Sequence, residues 1–205
     1  MGLVLVLVTL PYSGVLANGS IIKPSTPELV ITKSPTVLQI VPAKPLIMPG
    51  LSLYQQNLNN EKSNMANVWK QYDEKSGLDI ESLNYDQMFG RISNYLDHQG
   101  SPMSSIEDLL QIASKYQIDP RLIIGVAGAE STYGIHMPSG SHNPFGLGPT
   151  NRYLTWSDGY MAEAQFLYDH FIQFGVFSPF QIGPSYTGTG SQTWGQSVYS
   201  VMINI

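Results

Sequence analysis

The sequence contains no cysteine. This absence excludes disulfides, thiolate metal sites and cysteine nucleophiles, so the stability of the fold must come from packing. The chain has 205 residues, of which 42% are hydrophobic and 11% aromatic. That composition is sufficient for the core of one domain of ordinary size with extensions.

Charge is scarce and unevenly distributed. Charged residues make up 12% of the chain, and the formal net charge is −5. Residues 51–205 carry 14 acidic and 7 basic side chains, whereas the first 50 residues carry three lysines and one glutamate. No basic patch of the kind that binds nucleic acid is present, so we do not expect nucleic acid as a partner.

The first 22 residues carry no charge. Gly2 to Leu10 is an apolar run, and Val15-Leu16-Ala17 is a small-residue ending that suits signal-peptide cleavage. The usual positive n-region is missing and the apolar core is short, so an uncleaved anchor remains an alternative, although a spanning helix needs about 20 apolar residues. We expect residues 1–22 to be a signal peptide or membrane anchor and the protein to be secreted or held at the cell envelope.

Residues 23–50 are rich in proline. Six prolines at positions 24, 27, 35, 42, 45 and 49 are interleaved with serine, threonine and valine. Proline removes backbone donors at intervals and prevents a continuous helix. The segment is therefore predicted to be an extended linker.

From Leu51 onward the apolar residues recur with the 3.6-residue period of amphipathic helices. We expect a helical extension over residues 51–83 and a mostly α domain over residues 84–205. The predicted helices span Ser52 to Ser76, Tyr85 to His98, a segment capped by Ser104 or Ser105, Asp119-Pro120 to about Tyr133, Ser157 to about Phe174, and a short closing helix from about Trp194.

Two segments rich in glycine and proline are predicted to be loops. The first runs from Ile135 to Arg152 and contains Asn143-Pro-Phe-Gly146. The second runs from Gly183 to Gly195 and carries Tyr186. We expect Tyr186 to lie in a cleft because it lies in a loop, and Trp156 and Trp194 to serve packing, the commoner role of aromatic residues in helical domains.

Glu130 is the one acidic or basic side chain in the apolar stretch from Leu122 to Gly134. It falls in the last turn of a predicted helix, where burial and the negative end of the helix dipole both disfavour a charged carboxylate. We expect it to be partly desolvated and to hold a proton near neutral pH, as a general acid must. The alternative is a glutamate that faces solvent or caps a neighbouring segment.

Other polar residues are assigned ordinary roles. Asp158, Glu163 and Asp169 are expected to be helix caps or part of a solvated face, with Asp158 retained as a candidate functional residue. His136 and His142 have no third ligand at useful spacing, so they are expected to be surface histidines rather than a metal site. The Gly188-Thr-Gly-Ser191 segment lacks the Lys-Ser/Thr that follows in a phosphate-binding loop.

The order of several short motifs along the chain is more informative than any one of them. These are Gly100-Ser-Pro, Tyr116-Gln-Ile-Asp-Pro120, Ala129-Glu-Ser-Thr-Tyr-Gly134, Asn143-Pro-Phe-Gly146, Trp156-Ser157, and then Tyr186 and Trp194. This order resembles that of the bacterial lysozyme-like peptidoglycan hydrolases, the superfamily of lytic transglycosylases and glucosaminidases. The resemblance covers roughly residues 84–205.

The resemblance implies a mostly helical, lysozyme-like domain with a cleft between two lobes. The cleft is expected to bind alternating N-acetylglucosamine and N-acetylmuramic acid. The domain is expected to cleave β-1,4 glycosidic bonds without a metal or organic cofactor. Glu130 matches the catalytic general acid. The residues expected to contact the glycan are Ser131, Tyr133, Asn143, Phe145, Gly146 and Tyr186.

The reaction type stays open at this stage. Glycoside hydrolysis normally uses two carboxylates, about 5–5.5 Å apart in retaining enzymes and about 6.5–9.5 Å apart in inverting ones, and no second one is obvious. A single glutamate suits intramolecular attack by the muramic acid 6-hydroxyl, which gives an anhydro product, whereas the glucosaminidase-type branch uses water. A non-catalytic wall-binding or envelope-assembly module and a membrane-anchored scaffold are the rival hypotheses.

Overall fold

Helices account for all the regular secondary structure in the part of the chain that the structure describes. This computed structural model describes residues 49–148, 150–188 and 192–205, with side chains from residue 53 onward. The predicted signal or anchor segment and nearly all of the predicted linker lie outside these residues. No helix within the described ranges is both long enough and apolar enough to cross a membrane.

Seven α-helices and one short 3₁₀ helix follow one another within the described ranges, which confirms the predicted mostly α fold class. The 3₁₀ helix covers Ile172–Phe174. The α-helices are α1 (Pro49–Ser76), α2 (Tyr85–Gln99), α3 (Ile106–Lys115), α4 (Pro120–Ser131), α5 (Trp156–His170), α6 (Pro179–Tyr186) and α7 (Gln192–Asn204).

Local capping signals fix the ends of α2 and α4 close to the predicted positions. Asn84 and Gln87 form a reciprocal capping box at the start of α2, and Gly100 ends this helix in the left-handed conformation. At the start of α4 the Asp119 side chain accepts from the backbone N–H of Arg121, and proline occupies the first turn.

Of the two predicted serine caps, one is in place without its hydrogen bond and the other is wrong. Ser105 occupies the N-cap position of α3 with φ +60° and makes no capping hydrogen bond. Thr155 rather than Ser157 caps α5, in a capping box with Asp158. Ser157 instead donates a hydrogen bond to Asp108 of α3, so its hydroxyl joins two helices.

The predicted loop over 183–195 is also wrong for its described residues. Residues 179–186 form α6 despite Gly183 and Pro184, and α7 begins at Gln192. Gly183 is buried, so packing of this segment overrides its weak helix propensity. Tyr186 is consequently the last residue of α6 and not a loop residue.

Helix α4 lies at the centre of the core. Its residues from Pro120 to Ala127 are all buried. Helix α7 packs closely against it at Gly125, where a Cβ would lie 2.7 Å from Cγ1 of Val198. Helix α6 approaches α7 in the same way at Gly195, where a Cβ would lie 2.8 Å from the carbonyl oxygen of Pro179. The two glycines therefore allow α7 to lie tightly between α4 and α6.

A buried ion cluster joins α1 to α4. The Arg121 guanidinium binds Asp119 at 2.7 Å and Asp73 of α1 at 3.1 Å, and all three side chains are almost fully buried. Burial and the neighbouring Asp119 carboxylate raise the pKa of Asp73. The predicted helical extension is thus attached to the core by charge pairing as well as by apolar contacts.

Candidate functional site

Glu130 lies in the last turn of α4, as predicted, but it is exposed. The expectation of a partly desolvated carboxyl is therefore wrong. Its apolar neighbours in sequence belong to the buried part of α4, which ends at Ala127. The chain then turns sharply, with positive φ at Thr132, Tyr133 and Gly134, so residue 130 emerges from the core at the surface.

Trp194 holds the Glu130 carboxylate. Its indole Nε1 donates a hydrogen bond of 2.7 Å to Oε1 of Glu130, and the Trp194 side chain is otherwise buried. The prediction that Trp194 serves packing alone is therefore wrong. Because the indole ring is fixed by the core and only its N–H reaches Glu130, the hydrogen bond restricts the orientation of the carboxylate.

Tyr186 stacks on the indole of Trp194. The two ring centroids lie 4.7 Å apart with an interplanar angle of 26°. The Tyr186 hydroxyl donates to both carboxyl oxygens of Glu163, at 3.3 Å each. Tyr186 is therefore linked to Glu130 through Trp194, and its hydroxyl is directed toward a buried carboxyl.

Glu163 is fully buried in α5, which overturns its assignment to a cap or solvated face. It lies on the same helical stripe as the buried residues Tyr160, Ala164 and Leu167. Burial raises the pKa of Glu163 to about 8, the Tyr186 hydrogen bond opposes this rise, and the charge of Glu130 adds to it. Glu163 is therefore mostly uncharged at neutral pH.

A groove of about 650 Å³ lies between α2, the end of α4, and α7, and neither Glu130 nor Trp194 is among the residues that line it. Ala129 and Thr193, the residues immediately before Glu130 and Trp194, both line it. None of its lining residues carries a charge: they are Tyr95, Gly128, Ala129, Tyr133, Thr193, Gln196, Ser197, Ser200 and Val201.

Tyr133 forms one wall of this groove. Its hydroxyl shares a hydrogen bond of 2.8 Å with the Tyr95 hydroxyl, and the two rings meet edge to face. Burial is the main reason that the pKa of Tyr133 is raised, so its hydroxyl stays protonated. The ring passes so close to α4 that a Cβ at Gly128 would lie 2.6 Å from it.

Ser131 and Asn143 shape the backbone rather than present polar groups to the groove. The buried Ser131 hydroxyl donates to the carbonyl oxygen of Pro144 at 2.6 Å and accepts from the Gly134 N–H at 2.9 Å. The Asn143 amide bonds the backbone of Leu147 and Asn151. These bonds fasten the Asn143–Gly146 loop to the end of α4, next to Glu130.

Phe145 and Gly146 differ in exposure. Phe145 is buried and packs edge to face against Tyr160, so it anchors the loop in the core. Gly146 is exposed and has φ +68°. Of these two predicted glycan contacts, only Gly146 therefore lies at the surface.

The remaining candidates have local partners. Asp158 caps α5, and Asp169 is exposed. His136 contacts the Thr132 hydroxyl, and His142 contacts the Tyr153 carbonyl oxygen. Within the described ranges no three histidine or acidic side chains cluster as metal ligands would. The Gly188–Ser191 segment lies outside the described residues after its first residue.

A second cavity of about 470 Å³ lies between α2 and the start of α3. Asp97, Glu107 and Asp108 contribute to its lining. None of the residues proposed from the sequence as catalytic or glycan-binding lies in it.

The structure thus connects Glu130 with Tyr186 and Glu163 through Trp194. Of the residues predicted to contact the glycan, only Tyr133 lines the groove. The sequence carries a signal for Glu163, because residues 160, 163, 164 and 167 follow the spacing of one helical face. Trp194 lies 64 positions from Glu130, and no local pattern indicates their contact. Comparisons of the chain with protein-family models, curated proteins and solved structures find no match.

Proposed function

We propose that this protein is an exported peptidoglycan-cleaving enzyme that breaks β-1,4 bonds between N-acetylmuramic acid and N-acetylglucosamine, with Glu130 as general acid and base. The observation that carries the proposal is the Trp194 Nε1–H bond to Glu130 Oε1 at 2.7 Å. The residues that precede these two in sequence, Ala129 and Thr193, line an uncharged groove. The motif order in the sequence supplies the choice of substrate.

The position of Glu130 suits acid and base catalysis on a polymer. An exposed carboxylate is accessible to a bound chain, and a fixed indole donor reduces the reorientation that proton transfer requires. In the proposed reaction Glu130 gives a proton to the glycosidic oxygen as that bond breaks. It then accepts a proton from the attacking hydroxyl, which restores the acid for the next cycle.

The groove between α2, the end of α4 and α7 has the chemistry of a sugar site. Tyrosine rings offer flat apolar surfaces with polar edges, and hydroxyl and amide groups bond the hydroxyls and acetamides of a glycan. The groove contains Tyr95 and Tyr133 together with Gln196 and Ser200. Because it carries no charge, we expect glycan binding that depends little on salt.

The burial of Glu163 favours intramolecular attack over hydrolysis. Glu163 is the carboxyl that is connected to Glu130 through Tyr186 and Trp194, yet its side chain is fully buried. It therefore has no access to a water molecule at the bond being cut. A reaction with one accessible carboxylate suits a nucleophile within the substrate, and the muramic acid 6-hydroxyl can serve as one by forming a 1,6-anhydro ring.

The exposure of Glu130 also favours one alternative, a wall-binding module that does not cut. An exposed carboxylate carries no desolvation penalty, so its presence alone does not require a catalytic role. Such a module would use the same groove and bind peptidoglycan without releasing fragments.

Digestion of purified peptidoglycan with the full chain tests the proposal. The released fragments are identified by mass spectrometry, with Glu130→Gln as the inactive variant and Asp169→Asn, an exposed acid on α5, as the matched control. We expect fragments that end in anhydro-muramic acid, lighter by one water than hydrolytic fragments. Reducing ends would instead identify water as the nucleophile, and binding without release would support the wall-binding module.

A further inference from the structure

Glu163 and Glu130 are connected by a continuous chain of contacts. The Glu163 carboxyl accepts the Tyr186 hydroxyl, the Tyr186 ring stacks on Trp194, and Trp194 Nε1 donates to Glu130. The four residues come from α5, α6, α7 and α4 in that order. The chain of contacts therefore begins in the core and ends at the surface carboxylate.

Helix α5 fixes Tyr186 from two directions. Glu163 accepts its hydroxyl, and Phe166, almost one turn later, meets its ring edge to face at a centroid distance of 5.6 Å and an angle of 90°. The Tyr186 ring also stacks on Trp194. The tyrosine is thus held by its hydroxyl and by its ring, which leaves the indole little freedom to tilt.

A fully buried carboxyl destabilises the fold, because the group must be desolvated. We therefore expect a carboxyl at this position to have a role. Leucine or methionine would fill the same space on the apolar stripe of α5 without that destabilisation. The bond that distinguishes Glu163 from such a residue is the one with the Tyr186 hydroxyl.

We propose that Glu163 is a positioning residue, which orients the Glu130 carboxylate through Tyr186 and Trp194. It does not touch the substrate, because its side chain is fully buried. Its role in this proposal is to accept a hydrogen bond from the Tyr186 hydroxyl while it is an uncharged acid. The consequence for catalysis rests on the function proposed above, whereas the consequence for the Trp194–Glu130 bond does not.

The test uses the NMR signals of the indole N–H groups in the full chain. Each of the three tryptophans gives one such signal. Trp194→Phe assigns the Trp194 signal, and Glu130→Ala defines its position and hydrogen-exchange rate when the bond to Glu130 is missing. The variants compared are Glu163→Leu, Glu163→Gln and Tyr186→Phe. Gln165→Leu, an exposed position on the same helix, is the matched control.

In Glu163→Leu and Tyr186→Phe we expect the Trp194 signal to move toward its position in Glu130→Ala. We also expect the hydrogen exchange of the Trp194 indole to accelerate by about tenfold, which corresponds to the loss of one hydrogen bond of ordinary strength. Glu163→Gln keeps an acceptor for Tyr186 and should restore the wild-type signal. In the digestion assay the leucine variant should lose about tenfold in kcat with KM within about threefold, and the glutamine variant should recover most of that loss.

An unchanged Trp194 signal in Tyr186→Phe and in any folded Glu163→Leu protein overturns the proposal. If Glu163→Leu does not fold, Tyr186→Phe decides, because it retains the ring and removes only the hydroxyl. A wild-type protein that shows the indole effects but cuts no glycan refutes the proposed function while leaving the positioning role in place. The two failures are therefore distinguishable.

Discussion

The indole Nε1 of Trp194 donates a 2.7 Å hydrogen bond to Oε1 of Glu130. The bond joins the last turn of α4 to the first turns of α7, two helices that pack closely because Gly125 faces Val198. An exposed carboxylate is thereby given a fixed direction by a largely buried donor. This relationship distinguishes Glu130 from the other exposed acids of the described chain.

Trp194→Phe should reduce activity and leave the fold intact. The substitution retains an aromatic ring against Tyr186 but removes the N–H donor. A hydrogen bond to a charged group contributes about 1.5–3 kcal/mol, which corresponds to roughly a 10- to 100-fold loss of kcat. Fragment release from peptidoglycan measures this loss. Trp156→Phe is the control, because Trp156 packs on Tyr160 and His142; an equal loss there would contradict a specific role for Trp194.

Glu163→Gln should change the pH dependence of stability. The Glu163 pKa is about 8 in the folded state against an ordinary 4.5, so the folded state retains a proton that the unfolded chain has released. The free energy of unfolding therefore falls as pH rises from about 4.5 to about 8, by up to about 1.4 kcal/mol per pH unit. This loss of unfolding free energy is absent below about pH 4.5 and complete above about pH 8.

Urea unfolding of both proteins at several pH values in that window measures the effect. Glutamine has no proton to lose, so the stability of Glu163→Gln relative to wild type should increase with pH. Contributions from other groups, such as the buried Asp73, are shared by both proteins and cancel. A stability difference that stays constant from pH 4.5 to 8 would show that Glu163 does not titrate in this way.

Arg121→Met should destabilise the protein strongly. It leaves Asp73 and Asp119 buried without their shared cation, and breaking a buried ion pair in this way costs about 3–5 kcal/mol. Arg91→Met removes an exposed pair with Glu81 and should cost less than about 1 kcal/mol. Chemical denaturation of both variants gives the comparison, and similar losses would contradict the structural importance of the buried cluster.

Ser200→Trp should weaken glycan binding without altering the chemical step. Ser200 is exposed on α7 and lines the groove opposite Tyr95 and Tyr133, so an indole there occupies space assigned to the sugar. We expect KM to rise about tenfold or more, equivalent to roughly 1.4 kcal/mol of binding, while kcat changes little. As the control, Asp169→Trp places a side chain of the same size at an exposed position of α5. If Ser200→Trp and Asp169→Trp behave alike, the groove is not the binding site.

Local signals predicted much of the fold. The Asp119-Pro120 start of α4 and the end of α2 before Gly100 depend on signals within a few residues, so the sequence reveals them directly. The Asn84 capping box is equally local, but it was not predicted. The α6 helix was missed because Gly183 and Pro184 are helix breakers by propensity, and packing around the buried Gly183 overrides that preference.

The candidate site was less predictable because its contacts join distant segments. The position of Glu130 in the last turn of α4 followed from local signals, but its exposure depends on how the chain leaves the core after Ser131. The contacts of Glu163 with Tyr186 and of Trp194 with Glu130 span 23 and 64 residues. Only the helical spacing of α5 gave a sign that residue 163 faces inward.

The measurement that tests the central claim most directly is the initial rate of fragment release from purified peptidoglycan by the wild-type chain and by Glu130→Gln. General acid and base catalysis contributes about 100- to 10,000-fold to a rate, so the variant should be slower by at least about 100-fold while it still binds the polymer. A Glu130→Gln protein that cuts peptidoglycan as fast as the wild type would contradict the assignment of Glu130 as the catalytic residue.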